Sequence, residues 1–168
     1  MIKKAGFGGG CHWCTEAVFA ALKGVIAVEQ GWIASNGEHD TFSEGVIVHF
    51  DTDIIGFEVL ISIHLHTHSA TSAHSMRGKY RSAVYACTDQ DATTAVEAIE
   101  TLQRDFKDLI ITRVLPLADF KINNPDSLNY YFNDPKKPFC ELYINPKMKM
   151  LLTKFTAVAD LNKLRHLK

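Results

Sequence analysis

No apolar run in the 168-residue sequence is long enough to cross a membrane. Residues 1–6 hold two lysines but no apolar stretch of the kind a secretory signal needs, so a cytoplasmic protein is expected. Neither charge dominates: 18 Lys and Arg stand against 19 Asp and Glu, for a formal net charge of −1. That balance argues against a nucleic-acid or bilayer surface as partner. Internal repeats, low-complexity tracts and linkers are also lacking, which leaves one domain over residues 1–168, expected as a monomer. Cysteine is scarce, with Cys11, Cys14, Cys87 and Cys140 as the full set. In a reducing compartment such cysteines read as catalytic or metal-binding rather than as structural disulfides.

What is present is an ordinary globular balance, 46% apolar and 22% charged. Residues 2–7 read as a short strand ended by three glycines, and residues 15–23 as a helix with Val18, Phe19 and Leu22 on one face. Residues 25–32 favour a strand, and Val46, Val48 and Phe50 alternate with Ile47 and His49 as a half-buried one. Phe57, Leu60, Ile61, His64 and Leu65 recur at helical spacing; residues 67–79 read as loop and 82–87 as a buried strand with Cys87 in the core. Residues 91–106 form the clearest helix, striped by Ala92, Val96, Ile99, Gln103 and Phe106 and capped by Thr88 or Asp89. A further strand is expected at 110–115. Beyond Phe120, prolines punctuate an excursion that should wrap the core, and Leu151, Phe155, Val158 and Leu161 mark a last docking helix. The order implies an α+β fold: a two-layer sandwich with a split βαβ (ferredoxin-like) core, a mixed sheet and a wrapping C-terminal extension.

Chemistry concentrates in Gly8-Gly9-Gly10-Cys11-His12-Trp13-Cys14. Three glycines weaken any regular element, so they mark a sharp turn that a ligand can approach closely. Lying between a strand and a helix, they place Cys11 at a helix start, where unpaired N–H groups favour thiolate over thiol. Cys14 is near enough to form a disulfide with it. A zinc site would need two more ligands at local spacing; Cys87 and Cys140 are isolated, so no metal is expected there. Trp13, in a glycine-opened turn, offers an aromatic face to a methyl group or thioether.

These residues closely resemble the Gly-Gly-Gly-Cys-Phe-Trp-x-x-Glu signature of the A-type peptide methionine sulfoxide reductases. Shorter matches follow in family order: Gly31-Trp32, Ser43-Glu44-Gly45-Val46, Phe50-Asp51, Tyr80-Arg81-Ser82-Ala83 and Pro138-Phe139-Cys140. The resemblance implies that the Cys11 thiolate attacks the sulfur of (S)-methionine sulfoxide, free or in proteins, leaving a sulfenic acid. A second thiol then condenses with it, and thioredoxin or another dithiol reduces the disulfide. No prosthetic cofactor is implied. Glu44 matches the family's acid and Tyr80 one of its hydroxyl donors. Cys14, by local reach, and Cys140, by family position, are both candidate resolving thiols.

Departures are concentrated around the pocket. His12 replaces the family phenylalanine and makes the substrate-binding surface beside Trp13 more polar. Trp32 replaces a tyrosine and can donate through its indole but not pass a proton. His66-Thr67-His68-Ser69 stands where the family has His-Asp-Pro, so His66 or His68 is expected to bind or protonate substrate. With His64 and His74 these imidazoles read first as a polar helix end followed by a loop, partly solvated; His64 and His68, four residues apart, are also spaced to bind a metal. Two rival functions follow: a general thiol-disulfide oxidoreductase using Cys11 and Cys14, and a non-enzymatic metal- or peptide-binding relative.

Overall fold

The computed structural model describes residues 1–167. Alternating apolar residues make a six-stranded mixed sheet from β1 (Ile2–Gly8), β2 (Val25–Ala34), β3 (Ser43–Asp51), β4 (Ala83–Ala86), β5 (Arg113–Pro116) and β6 (Asp119–Ile122). The spatial order is β5-β4-β1-β3-β2-β6. All neighbours are antiparallel except β4 and β5, which the helix α3 (Asp89–Leu102) joins as a parallel crossover. α1 (His12–Ala20), α2 (Phe57–Thr67) and α3 pack with α5 (Asn145–Lys154) into one apolar cluster. Its centre is Phe7, Phe19, Phe50 and Leu60; the Phe7 and Phe19 rings lie 4.6 Å apart. Burying one such side chain contributes about 1.5–3 kcal/mol.

β3 is buried along nearly its whole length, not half-buried as its alternation suggests. The far face of the sheet carries its own cluster, Ile33, Ile47, Ala83 and Tyr85, with Leu115, Leu117 and Phe120 against it. The second set of β3 side chains is therefore covered as well. β6 was not anticipated; it is a four-residue edge strand that pairs only with β2. Cys87, expected in the core, is exposed because β4 ends one residue earlier at Ala86. The buried face of α3 is Asp91, Ala95 and Ala98, rotated from the expected stripe, and Val96 is exposed. Small alanines there let α3 approach α2. Thr88 caps it as expected, its hydroxyl accepting from the Asp91 N–H at 3.1 Å.

Residues 123–167 wrap the helical layer. Glu16, buried in α1, ties this arm down: its carboxylate accepts from the Asn129 and Tyr130 N–H groups at 2.9 and 3.2 Å, and from Gln30 at 3.0 Å. A short helix α4 (Tyr130–Asn133) and a five-residue π-turn (Cys140–Ile144) lead into α5. The last helix stops at Lys154, so the expected periodic residues Phe155, Val158 and Leu161 lie in turns beyond it.

Candidate active site

Register gathers the site. Gly8 pairs with Gly45, Gly31 also pairs with Gly45, and Trp32 pairs with Glu44. The C-terminal ends of β1 and β2 thus meet the start of β3. From β1 the chain turns through Gly9, whose φ of +148° an L side chain rarely adopts, and a Cβ there would strike the His68 ring at 2.5 Å. The Arg77 guanidinium holds this turn by donating to the Gly9 and Tyr80 carbonyls at 2.8 and 2.9 Å.

Cys11 is the N-cap residue of α1, and its carbonyl accepts from the Cys14 and Thr15 N–H groups. Its pKa is lowered, first by the Cys14 S–H bonded to its sulfur and then by the Trp13 and Cys14 backbone N–H groups. Burial and the Glu44 charge oppose this. Cys14 is pushed up for the complementary reason, since its proton is held between the two sulfurs and burial disfavours a second anion. The two shifts run in opposite directions, so of the pair Cys11, the more exposed sulfur, gives up its proton first.

Glu44 is 7% exposed and lies directly beside His12, the neighbour of Cys11. Its Oε1 accepts from the His12 N–H at 3.2 Å and lies 3.4 Å from His12 Nε2, while Lys79 Nζ is 3.4 Å from Oε2. The same ammonium sits over the Tyr80 ring, 5.2 Å from its centroid, so Lys79 joins the two expected proton donors. His12 is 6% exposed and turns inward rather than onto the substrate surface. The Gly31 carbonyl, 2.8 Å from Nδ1, can only accept, so Nδ1 carries the hydrogen. Nε2 then accepts from the Asn123 amide at 3.4 Å and lies 3.4 Å from Glu44 Oε1. Asn123 is itself oriented by Gln30, to which it donates at 2.7 Å. Trp32, half-buried, stands edge-on to His12 with ring centroids 5.3 Å apart.

Trp13 does not present an open face as expected. Tyr130 from the arm stacks on it, centroids 4.0 Å apart and planes within 5°, and Phe139 meets it edge-on. The Trp13 indole nitrogen is buried without a partner. Cys140, at the head of the π-turn, is fully buried, and burial raises its pKa.

The histidines divide. His66 lies away from the cysteines, between Phe106 and Phe155, with Nδ1 bonded to the Ser62 carbonyl and Nε2 3.8 Å from Asp105. Helical phase puts His64 and His68 on the other side, stacked 4.2 Å apart. They do not chelate: His64 Nε2 bonds to the Gly8 carbonyl and His68 spans the His64 carbonyl and the Ser82 hydroxyl. Burial lowers His64 well below the usual imidazole range and His68 to about 4, so neither carries a proton to substrate near neutral pH. Exposed His74 caps a turn instead, accepting from the Met76 N–H. Among the described residues no group of three or more His, Cys, Asp or Glu could hold a metal ion.

Behind the cysteines lies a cavity of about 60 Å³, lined by Cys11, Cys14, Thr67, His64, His68 and Lys147 among others. Lys147, Lys79, Tyr130 and Asn123 were not expected at the site. Lys79 could have been suspected from its place before Tyr80-Arg81-Ser82, and Tyr130 from the Tyr-Tyr that the family also has ahead of its C-terminal cysteine; Asn123 and Lys147 sit in stretches whose pattern gives no sign of what they touch.

A family profile described as peptide methionine sulfoxide reductase matches residues 3–159. The peptide methionine sulfoxide reductase MsrA of Pasteurella multocida is 31% identical over 172 aligned residues, covering 94% of this chain and 99% of that protein. Among solved structures, Mxr1 from Saccharomyces cerevisiae in its reduced form superposes with a TM-score of 0.73 at 19% identity, covering 83% of this chain and 89% of that one. Mxr1 in complex with Trx2 gives 0.60 at 21% identity, covering 77% and 84%. The likeness to these structures is one of fold.

Proposed function

The chain belongs to the peptide methionine sulfoxide reductase family, and from that premise we propose that it reduces (S)-methionine sulfoxide, free or in proteins, through Cys11. The observation that carries this reading is the placement of a thiolate-favouring Cys11 at the α1 N-terminus with the Glu44 carboxyl beside it. The Cys11 thiolate attacks the sulfoxide sulfur. Glu44 protonates the oxygen as its double-bond character is lost, with the Tyr80 hydroxyl and Trp32 indole as further donors. The oxygen then passes from the substrate sulfur to Cys11 as the new S–S bond and the old S–O bond break, so methionine leaves and Cys11 is left as a sulfenic acid. His12 acts as a positioning residue for Glu44.

A second thiol then attacks the sulfenic sulfur, the S–O bond breaks and water departs. Cys14 is the first candidate, because it stands in the first turn of α1 and lines the same cavity as Cys11; Cys140 is the second. Thioredoxin or another dithiol returns the enzyme to its reduced form. The Mxr1–Trx2 complex, formed on the same fold, supports a thioredoxin partner. Such a cycle suits repair of oxidised proteins in a reducing compartment such as the cytoplasm. A general thiol-disulfide oxidoreductase would have no use for the Glu44 acid. The β4-β1-β3-β2 order supports reading the sheet's centre as a split βαβ unit, with residues 1–168 as one domain.

Single-turnover conversion of the separate S and R epimers of a sulfoxide peptide by pre-reduced protein tests the reading. Conversion of the S epimer alone, lost in Cys11→Ser, is expected; conversion of neither epimer would overturn it.

A further inference from the structure

One charged side chain at the cysteines has no part in the chemistry above. Lys147, near the start of α5, crosses from the wrapping arm and lines the cavity behind Cys11 and Cys14. Burial works against its charge, and Cys14 and Cys11 favour it. Among the described residues its side chain makes one hydrogen bond, to the Thr67 carbonyl at the end of α2. Lysine often satisfies such a helix end, but that uses one of three ammonium donors. The imidazoles in the same wall are neutral, with His64 Nε2 committed to Gly8 and its Nδ1 buried without a partner. Lys147 is thus the cationic side chain lining this wall.

We propose that Lys147 makes Cys14 the resolving thiol, by facing its sulfur with an ammonium group when Cys14 must give up its proton. The inference rests on the reading of Cys11 as nucleophile and on the sulfenic acid it forms. In the resting pair Cys14 keeps its proton because the neighbouring sulfur is an anion. Attack on substrate converts Cys11 to a neutral sulfenic acid, and that restraint disappears. Burial still disfavours a Cys14 thiolate, and Cys140 adds to this if charged. The ammonium opposes both, and in a water-poor cavity its attraction is stronger than in solution. The Cys14 thiolate then forms the S–S bond, the Cys11 S–O bond breaks, and the departing hydroxide takes up a proton to become water. The sulfoxide is the oxidant for the whole sequence. Cys140 does not line this cavity, and Asp134 and Glu141 beside it offset the help of Lys137.

The test separates the two steps in pre-reduced protein given one equivalent of sulfoxide peptide, with methionine, free thiols and dimedone-trapped sulfenic acid followed in time. Lys147→Gln keeps a donor for Thr67 but removes the charge, Lys147→Met removes both, and Lys147→Arg keeps both. One equivalent of methionine is expected in all three, its formation slowed far less than disulfide formation because Cys11 is the more exposed sulfur. Disulfide formation should slow about tenfold or more in the Gln and Met variants, with sulfenic acid accumulating and the Arg variant restored. The pH at which that step accelerates should rise by about one unit in Lys147→Gln. Disulfide formation at the native rate in Lys147→Gln would overturn the inference, as would an equal slowing of methionine formation. Absence of methionine from the native protein would instead overturn the reductase reading beneath it.

Discussion

At the α1 N-terminus, two sulfurs three residues apart are shifted in opposite directions, which suits each to the different task proposed for it. Cys11 takes the charge because α1 backbone N–H groups and the Cys14 S–H converge on it. Replacing Cys11 by Ser should abolish single-turnover reduction while changing stability by no more than about 1 kcal/mol in urea unfolding. Glu44→Gln keeps shape and hydrogen bonds but cannot supply the proton. Its chemical step should fall about 10²–10⁴-fold with little change in KM, read from stopped turnover over a range of substrate concentration. His12 is the residue whose role the family likeness conceals. Phenylalanine at this position would remove the side-chain donor to the Gly31 carbonyl and leave one Asn123 hydrogen without its partner. His12→Phe should therefore cost about 1–3 kcal/mol of stability, visible as a lower urea midpoint at unchanged slope.

At the scale of single elements, the end of α2 and the pairing of β2 decide the most. α2 carries His64 and His68 into a buried wall as neutral groups. His68 has a folded-state value of about 4 against the ordinary 6.5, so the unfolded chain binds a proton first as pH falls. The stability due to its neutral form is complete above pH 6.5 and is lost progressively toward pH 4. By linkage this amounts to about 3 kcal/mol. Thermal melts should show that decline, and His68→Gln should flatten it. In β2, a Cβ on Gly31 would lie 2.0 Å from the Lys121 carbonyl of β6. Gly31→Ala should force the edge strand away, raising amide exchange across 119–122 and disturbing the His12 contact to the Gly31 carbonyl. The helix periodicities of α1 and α2 and the Thr88 cap were legible in the sequence because each depends on neighbours within a few residues. β6 was not, because four residues on an edge carry no pattern until β2 is there to pair with them. The face of α3 was misread for a related reason: close approach to α2 favours its alanines over the larger Val96.

Taken as a whole, the molecule is an α+β sheet held beneath helices and closed by a long C-terminal arm. That arm supplies Asn123, Tyr130, Cys140 and Lys147 to the surroundings of a nucleophile more than a hundred residues earlier. Its clasp is the Glu16 carboxylate, which holds two backbone N–H groups of the arm and the Gln30 amide. Glu16→Ala would leave these donors unpaired at a cost of about 3 kcal/mol. Limited proteolysis should then cut within 123–140 well before the core, and loss of the Tyr130 stack should change Trp13 emission. By itself the sequence pointed to Cys11 as the proposed nucleophile, to its helix-start position and to the α+β class, which follow from local glycine chemistry and periodicity, and to Glu44 as the proposed acid through the family resemblance. Tertiary structure alone decided which way His12 turns, that Trp13 is covered, that His66 points away and that Lys147 reaches the sulfurs. Those outcomes depend on strand register and on where the arm returns, contacts between residues far apart in the chain, which no local pattern encodes.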